Sequence, residues 1–147
     1  MPGKRPKLVA AGVELRNQIN ARWPRRDKRS DGWIGDKAHQ ARQSDHNPDG
    51  RGYVHALDID ADLDKLDPHA AQKLANQIVT YAASGAPGSD RIKYVVFNDQ
   101  IASGTYPATK WVWRGRGYGH KHHIHVSFTD KAERNGRPFP LPILRRP

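Results

Sequence analysis

The segment YVHALDID, residues 53–60, decides the fold of this 147-residue chain. Its alternation of apolar and polar residues predicts a β-strand on which Asp58 and Asp60 lie on one face. A carboxylate with apolar neighbours on both sides is costly to bury unless it is paired or bound to a cation. The segment therefore predicts a strand that carries an acidic site, with Asp58 as the candidate and Asp60 as its competitor.

Helices are predicted on both sides of this strand. Residues 8–22, LVAAGVELRNQINAR, place their apolar residues at helical spacing, and we expect this helix to end near Pro24. Asp67, which precedes a proline, supplies an N-cap for a second helix over residues 69–84. This second helix is expected to stop at Gly85.

Three further strands are predicted after the second helix. They are RIKYVVFN at 91–98, KWVWRGR at 110–116 and HHIHVSF at 122–128. Trp111 and Trp113 share a face of the middle strand, and we interpret them as core residues, with a binding platform as the alternative. This order of elements predicts an α+β fold, a small and mostly antiparallel sheet of about four strands flanked by two main helices.

The length favours a single domain. We assign residues 1–130 to one catalytic domain and residues 131–147 to a Pro- and Arg-rich C-terminal tail, packed over the body or loose. Residues 24–53 form a long loop-rich stretch, which in a compact domain is usually functional or disordered.

The composition limits the chemistry. Lys and Arg outnumber Asp and Glu by 25 to 15, for a net charge of +10, which favours an anionic partner: nucleic acid, an acidic cell wall or a membrane surface. The chain has no cysteine, which excludes disulfides, cysteine nucleophiles and cysteine-based zinc fingers. Any transition-metal site must therefore use His with Asp or Glu.

The sequence shows no sign of a membrane segment. No apolar run approaches the roughly 20 residues that span a bilayer. The basic start has an apolar part that Glu14 and Arg16 interrupt too soon for a secretory signal. We expect a soluble monomer that is made in the cytoplasm and, if it acts on the cell wall, does so after release.

The stretch GHKHHIHVSF, residues 119–128, holds four of the eight histidines. On a strand, His123 and His125 share a face, so that one can bind a metal while the other handles protons. With His46 from the polar loop and Asp58, His125 would complete a set of two histidines and one carboxylate. Three protein ligands and a water are the arrangement of a catalytic zinc site.

The segments SDHNPDGRGYVHALDID and HKHHIHVS together resemble a zinc peptidase superfamily. It includes D-alanyl-D-alanine carboxypeptidases, L-alanyl-D-glutamate endopeptidases and many bacteriophage endolysins, and the sonic hedgehog signalling domain shares its fold. The family pattern Ser-x-His, Gly-x-Ala-x-Asp and His-x-His is matched at 44–46, 56–58 and 123–125, with Val54 in place of the glycine. The upstream segment 23–50 is similar to phage and actinobacterial proteins with this domain, and the likeness covers roughly residues 8–128.

The resemblance implies that one zinc ion is bound by His46, Asp58 and His125. It implies that His123 is a non-ligand histidine that acts as a base or steadies the oxyanion. His122 stands where most members have an acidic residue, which favours a histidine base. Some members carry His-x-x-His-x-His instead, and His120 then becomes a second candidate for the base.

Other residues receive supporting roles. Arg42 is a candidate anchor for a substrate carboxylate or the oxyanion, since a guanidinium suits paired oxygens. Ser44 is interpreted as a hydrogen-bonding support of its loop, and His39 and Tyr118 are candidate substrate contacts. His55 is expected to face away from Asp58 in a structural role.

The resulting hypothesis is a zinc-dependent peptidase, endopeptidase or carboxypeptidase, that cuts the stem peptides of bacterial peptidoglycan in the manner of an endolysin. The positive charge suits an anionic wall. Two alternatives remain: a basic nucleic-acid-binding protein or nuclease, which the charge motivates but no recognition motif supports, and a zinc-binding module of the same fold without catalysis.

Overall fold

The computed structural model describes residues 5–34, 44–105, 107–115, 117 and 121–145. Two helices and six strands lie in this part of the chain. In chain order they are β1 (Lys7–Leu8), α1 (Ala10–Arg22), β2 (Tyr53–Val54), β3 (Ala56–Asp60), α2 (Ala70–Ser84), β4 (Ile92–Phe97), β5 (Gln100–Ser103) and β6 (His123–Phe128).

A four-stranded antiparallel sheet in the order β3-β6-β4-β5 forms the centre of the fold. A separate two-stranded sheet pairs β1 with β2 in parallel. The α+β class predicted from the sequence is confirmed. The predicted strand over residues 53–60 divides at His55, where the chain passes from the small sheet to the large one.

The hydrophobic core lies between the helices and one face of the large sheet. Leu15 of α1 and Leu74 of α2 are fully buried in one cluster with Ile59, Ile124 and Val126 of the sheet. Because side chains alternate along a strand, Asp58 and His125 lie on the opposite face. The core thus orients the face that carries the candidate site.

The second helix ends where the sequence predicted. Gly85 adopts a left-handed conformation with φ of 73°, which glycine accepts without steric cost. The helix begins at Ala70, slightly later than predicted, because Asp67 caps the preceding turn, where its carboxylate accepts the backbone N–H of His69 at 2.9 Å.

The predicted strand over 110–116 was wrong. Lys110 and Trp111 form a turn in which Trp111 has a φ of 58°, a conformation that a strand does not allow. Within residues 110–115, the described part of this segment, only Arg114 makes an isolated bridge, to Ile101. The fourth strand of the sheet is instead β5, which follows β4 through a tight turn.

Both tryptophans of that segment are partly buried and pack against the core. Trp111 fits closely because residue 104 is glycine: a Cβ there would lie 2.7 Å from the indole ring. Trp113 donates its indole N–H to Asn76 at 3.0 Å.

The C-terminal segment packs on the body of the protein. Phe139, Leu141 and Leu144 are buried in the main hydrophobic cluster. Arg91, which is fully buried, donates hydrogen bonds to the carbonyl oxygens of Asn135 and Arg137 at 3.0 and 2.7 Å.

Among the described residues, no helix has the length and apolar character needed to cross a membrane.

Candidate metal centre

The register between β3 and β6 places acidic residues opposite histidines. Asp58 is the direct partner of His125, and Asp60 is the direct partner of His123. Cross-strand partners have Cβ atoms about 4.5–5.5 Å apart, so their side chains meet on the same face. The antiparallel pairing therefore assembles this half of the centre from residues that are far apart in the sequence.

The loop that follows residue 43 brings His46 to the same place. Ser44 supports this loop, because its hydroxyl accepts the backbone N–H of His46 at 3.2 Å. Asp45 fixes the loop to the sheet through its ion pair with Lys93 at 3.1 Å and through its carbonyl, which accepts the N–H of His55.

The side chains of His46, Asp58 and His125 converge. His46 Nε2 lies 3.2 Å from His125 Nδ1 and 3.3 Å from Asp58 Oδ2, and His125 Nδ1 lies 3.1 Å from Asp58 Oδ1. Both histidines are buried, and the three residues form a group that could hold a metal ion.

The outer nitrogen of His46 defines which ring nitrogen faces the centre. Nδ1 lies 2.9 Å from the carbonyl oxygen of Trp33. A carbonyl only accepts hydrogen bonds, so Nδ1 carries the proton, and a neutral His46 presents the lone pair of Nε2 to the centre. The Trp33 carbonyl is itself held in place, since the neighbouring Gly32 exchanges two backbone hydrogen bonds with Asp58.

This arrangement requires a positive charge. A lone pair on His46 Nε2 would repel the Asp58 carboxylate unless a proton or a metal ion lies between them. Burial alone would lower the pKa of His46, but the hydrogen bond and charge of Asp58 outweigh burial and raise that pKa above 6.5. Burial likewise opposes ionisation of Asp58, yet hydrogen bonds from His125 and His46 hold its pKa well below the usual range.

A second layer of residues orients His125. Its Nε2 lies 2.8 Å from the hydroxyl of Ser127, which is fully buried. The ring of Tyr94 stacks on the imidazole with centroids 5.4 Å apart. Burial raises the pKa of Tyr94, so that its phenol stays protonated as a donor beside Ser127 and Asp45.

His123 lies at the edge of the group. Its Nε2 is 3.6 Å from Asp58 Oδ2, and 26% of its side chain is exposed, against 8% for His125. His123 is therefore within ion-pair distance of Asp58 and partly accessible to solvent. His122, on the other face, is exposed.

Asp60 does not join the group. Its two carboxylate oxygens accept the backbone N–H groups of Ser30 and Asp62, each at 2.8 Å. These contacts fix two turns beside the sheet, so Asp60 stabilises the loops while Asp58 faces the histidines.

Four of the residues proposed from the sequence lie outside the described part of the chain: His39, Arg42, Tyr118 and His120. Their roles stay predictions.

A second acidic group differs from the first in its charge balance. Asp49, His55 and Glu133 also lie close together. The guanidinium of Arg51 already bonds both carboxylates, at 3.2 and 2.6 Å, and His55 donates to Glu133 at 2.8 Å. This cluster is an ion-pair network that includes His55, which faces away from Asp58.

Sequence reasoning missed the supports of the centre. Ser127 follows His125 by two residues, so strand periodicity already places it on the same face and would have revealed it. Tyr94 needed the register between β4 and β6, which pairs it with Ser127. The Trp33 carbonyl is a backbone atom, for which the sequence carries no signal.

Comparison of the chain with protein-family models, with curated proteins and with solved structures found no match.

Proposed function

We propose that this protein is a zinc-dependent peptidase that hydrolyses peptide bonds in the stem peptides of bacterial peptidoglycan. The observation that carries the proposal is the orientation of His46. Its Nδ1–H is committed to the Trp33 carbonyl, and its Nε2 therefore faces Asp58 and His125 as a metal ligand would. The motifs Ser44-x-His46, Ala56-x-Asp58 and His123-x-His125, which resemble the zinc peptidases, supply the reaction class.

The distances between the candidate ligand atoms are close to those around zinc. Zinc with bonds of about 2.0–2.1 Å in tetrahedral geometry separates its ligand atoms by about 3.3–3.4 Å. His46 Nε2 lies 3.2 Å from His125 Nδ1 and 3.3 Å from Asp58 Oδ2, while His125 Nδ1 lies 3.1 Å from the other carboxylate oxygen, Oδ1. Two imidazoles and one carboxylate also suit zinc better than calcium or magnesium, which prefer oxygen ligands.

A bound zinc ion would supply a water of lowered pKa and would polarise the scissile carbonyl. The chain's own residues would handle the protons. His123, at the open edge of the centre, is placed to accept a proton and to return it to the leaving amine. Asp58 would orient the protonated imidazole through its carboxylate. His120 is the second candidate for the same task.

The net charge of +10 supports a wall substrate, because anionic polymers of the cell wall would attract this surface. The same charge would attract nucleic acid, but nucleic-acid binding by charge gives no role to the three converging residues, which the peptidase proposal uses as zinc ligands.

The decisive experiment combines metal binding with digestion. Purified protein is incubated with peptidoglycan, with chelator and with restored zinc, and mass spectrometry identifies the products. New free amino groups that need zinc are expected. Release of no peptide product from several wall types would refute the proposal, and zinc binding without hydrolysis would indicate a non-catalytic metal-binding module.

Variants separate the roles of the histidines. His123→Ala should retain zinc and lose turnover, whereas Asp58→Ala should lose both. His69→Ala is the matched control, because His69 is an exposed histidine at the start of α2. Loss of zinc from His123→Ala would contradict the division of roles.

A further inference from the structure

A row of polar side chains leads from the metal centre to the surface of the protein. Nε2 of His125, the ring nitrogen that does not face Asp58, lies 2.8 Å from the hydroxyl of Ser127. Ser127 on β6 is the cross-strand partner of Tyr94 on β4. The phenol of Tyr94 makes hydrogen bonds to the hydroxyl of Ser127 and to the carboxylate of Asp45. The polar row thus consists of His125, Ser127, Tyr94 and Asp45.

Lys93 holds the outer end of the polar row in place. Its ammonium lies 3.3 and 3.1 Å from the two carboxylate oxygens of Asp45, and 5.7 Å from the centre of the Tyr94 ring. The same lysine therefore keeps the carboxylate next to the phenol. The side chain of Asp45 is 24% exposed and that of His125 is 8% exposed, while Ser127 between them is fully buried. The row connects an accessible carboxylate with a buried ring nitrogen.

The carboxylate at its end gives the polar row a single direction. A carboxylate only accepts hydrogen bonds, so the hydroxyl of Tyr94 donates to Asp45. The phenol oxygen then accepts the hydroxyl proton of Ser127. The oxygen of Ser127 is left as an acceptor for His125, and Nε2 is the nitrogen that donates to it.

This direction matters because a neutral imidazole has one protonated nitrogen and one lone pair. In the metal-free centre, Nδ1 of His125 lies 3.1 Å from Asp58 Oδ1 and can hold a proton against that carboxylate. Metal binding requires Nδ1 to lose this proton while the ring keeps the proton on Nε2. If Ser127 turned its O–H toward Nε2 instead, the ring proton would have to stay on Nδ1, where it blocks the metal ion.

We infer that Asp45 is a positioning residue that acts through Tyr94 and Ser127 to keep the ring proton of His125 on Nε2. Nδ1 is thereby left for the metal ion. Asp45 is the residue between Ser44 and His46, so one short segment supplies one histidine ligand and orients the other. The inference rests on the metal-binding part of the proposed function, and it assigns roles to two residues, Asp45 and Tyr94, that do not touch the metal ion.

Two variants interrupt the polar row without changing a ligand. Tyr94→Phe removes the hydroxyl but keeps the ring that stacks on His125, and Asp45→Ala removes the final acceptor. In both variants the hydroxyl of Ser127 can turn toward Nε2, so zinc affinity, measured by chelator competition, should fall about 10-fold. Tyr81→Phe is the matched control, because the hydroxyl of Tyr81 on α2 donates to the carbonyl oxygen of Pro87, outside the polar row. Its zinc affinity should equal that of the wild-type protein.

Two further variants separate the hydrogen bond of Asp45 from its charge. Asp45→Asn loses the charge but keeps an oxygen that accepts from Tyr94, so its zinc affinity should stay within about twofold of the wild type. Lys93→Met removes the ion pair with Asp45 but leaves the carboxylate, and it should also bind zinc like the wild-type protein.

A second measurement follows the proton itself. In the zinc-loaded protein with isotope-labelled histidine, NMR should show a proton on Nε2 of His125 that exchanges slowly with water. This exchange should be faster in Tyr94→Phe and Asp45→Ala and unchanged in Asp45→Asn. A variant that only loosened the fold would also speed the exchange of the backbone amides of β6, which should keep their wild-type rates.

The inference is overturned if Tyr94→Phe and Asp45→Ala bind zinc like the wild-type protein, or if Asp45→Asn loses as much affinity as Asp45→Ala. A wild-type protein that binds no zinc would overturn both the inference and the proposed function. Otherwise the two fail separately. Zinc affinities that follow the expected pattern without hydrolysis of peptidoglycan would count against the peptidase alone. Hydrolysis by a protein whose zinc affinity does not depend on the polar row would count against the inference alone.

Discussion

The Nδ1 atom of His46 lies 2.9 Å from the carbonyl oxygen of Trp33, and this contact fixes the tautomer of a buried histidine 13 residues away in sequence. The ring consequently offers Nε2 to Asp58 and His125. Whatever cation the centre holds, a proton or a metal ion, is bound at that nitrogen. The two cations must therefore compete.

This competition predicts how zinc affinity depends on pH. Asp58 raises the pKa of His46 above 6.5. As pH falls through that pKa, Nε2 becomes protonated, and zinc must displace this proton in order to bind. Zinc affinity, measured by chelator competition, should decrease steadily on acidification. Calorimetry in buffers of different ionisation enthalpy should detect the released proton.

The metal-free protein should show the opposite trend in stability. A raised pKa stabilises the folded state below the unfolded value of 6.5, and this contribution is lost as pH rises through the folded pKa. The Tm of the metal-free protein, measured in chelator, should therefore fall toward alkaline pH. Added zinc should reverse this fall. Zinc affinity that is flat across this pH range would contradict the competition between zinc and a proton at His46 Nε2.

Ser127 is predicted to be a positioning residue of His125. Its hydroxyl lies 2.8 Å from Nε2. In a zinc-bound centre, this hydroxyl would accept the Nε2–H, so that the lone pair of Nδ1 would face the metal ion beside Asp58. Removal of such an outer partner typically costs about 10–100-fold in metal affinity, so Ser127→Ala should weaken zinc binding by that amount. Ser103→Ala is the matched control, a buried serine of β5 whose hydroxyl accepts the backbone N–H of Thr105. Equal zinc affinity in both variants would remove Ser127 from the centre.

The sequence predicted the parts of the molecule that depend on local pattern. The α2 periodicity and its stop at Gly85 are local, and so is the placement of His123 and His125 on one face of β6. The strand predicted over residues 110–116 failed at Trp111 because of a contact that the local pattern does not show. Its neighbours have the composition of a strand, but the left-handed turn at that residue is favoured by packing against Gly104, a contact between segments.

The alternation of the strand could not choose between Asp58 and Asp60 for a similar reason, and only the motif resemblance favoured Asp58. Both residues lie on the same face of β3, and both are flanked by apolar residues. What separates them is that Ser30, from a loop 30 positions away, bonds one oxygen of Asp60. Such a contact depends on the path of a loop whose residues have no periodicity.

Glu133 is predicted to stabilise the fold in a pH-dependent manner. Burial alone would raise the pKa of this carboxyl, but hydrogen bonds from Arg51 and His55 outweigh burial and hold it below 4.5. A lowered pKa stabilises the folded state above 4.5, and this contribution is lost as pH falls through the lower folded value. The Tm difference between the wild-type protein and Glu133→Gln should therefore be largest near neutral pH and shrink on acidification.

Glu14→Gln serves as the control for this measurement, since Glu14 lies on α1 outside the network. The Tm of Glu14→Gln should change with pH in the same way as that of the wild-type protein. If the Tm difference between the wild-type protein and Glu133→Gln stayed the same at acid pH, the packing of this side chain, rather than its charge, would explain its effect on stability.

Arg91 is predicted to hold the C-terminal segment on the body of the protein. Its fully buried guanidinium donates to the carbonyl oxygens of Gly88, Asn135 and Arg137 and to the phenol of Tyr81. Lysine keeps the charge, but its single ammonium cannot reach three divergent carbonyls, and each buried acceptor left without a partner costs about 1–3 kcal/mol. Arg91→Lys should therefore lower the free energy of unfolding by about 2–4 kcal/mol.

Denaturant titration measures that loss, and limited proteolysis shows where it acts. The segment after residue 133 should become the first site of cleavage in Arg91→Lys, because the carbonyls that anchor it lose their donors. Arg145→Lys, an exposed arginine near the end of the same segment, should leave both the unfolding free energy and the cleavage pattern unchanged. If Arg91→Lys unfolded like the wild type, the burial of Phe139, Leu141 and Leu144 would have to anchor the segment, together with the hydrogen bonds that Gln18, Arg22 and Gln77 make to its backbone.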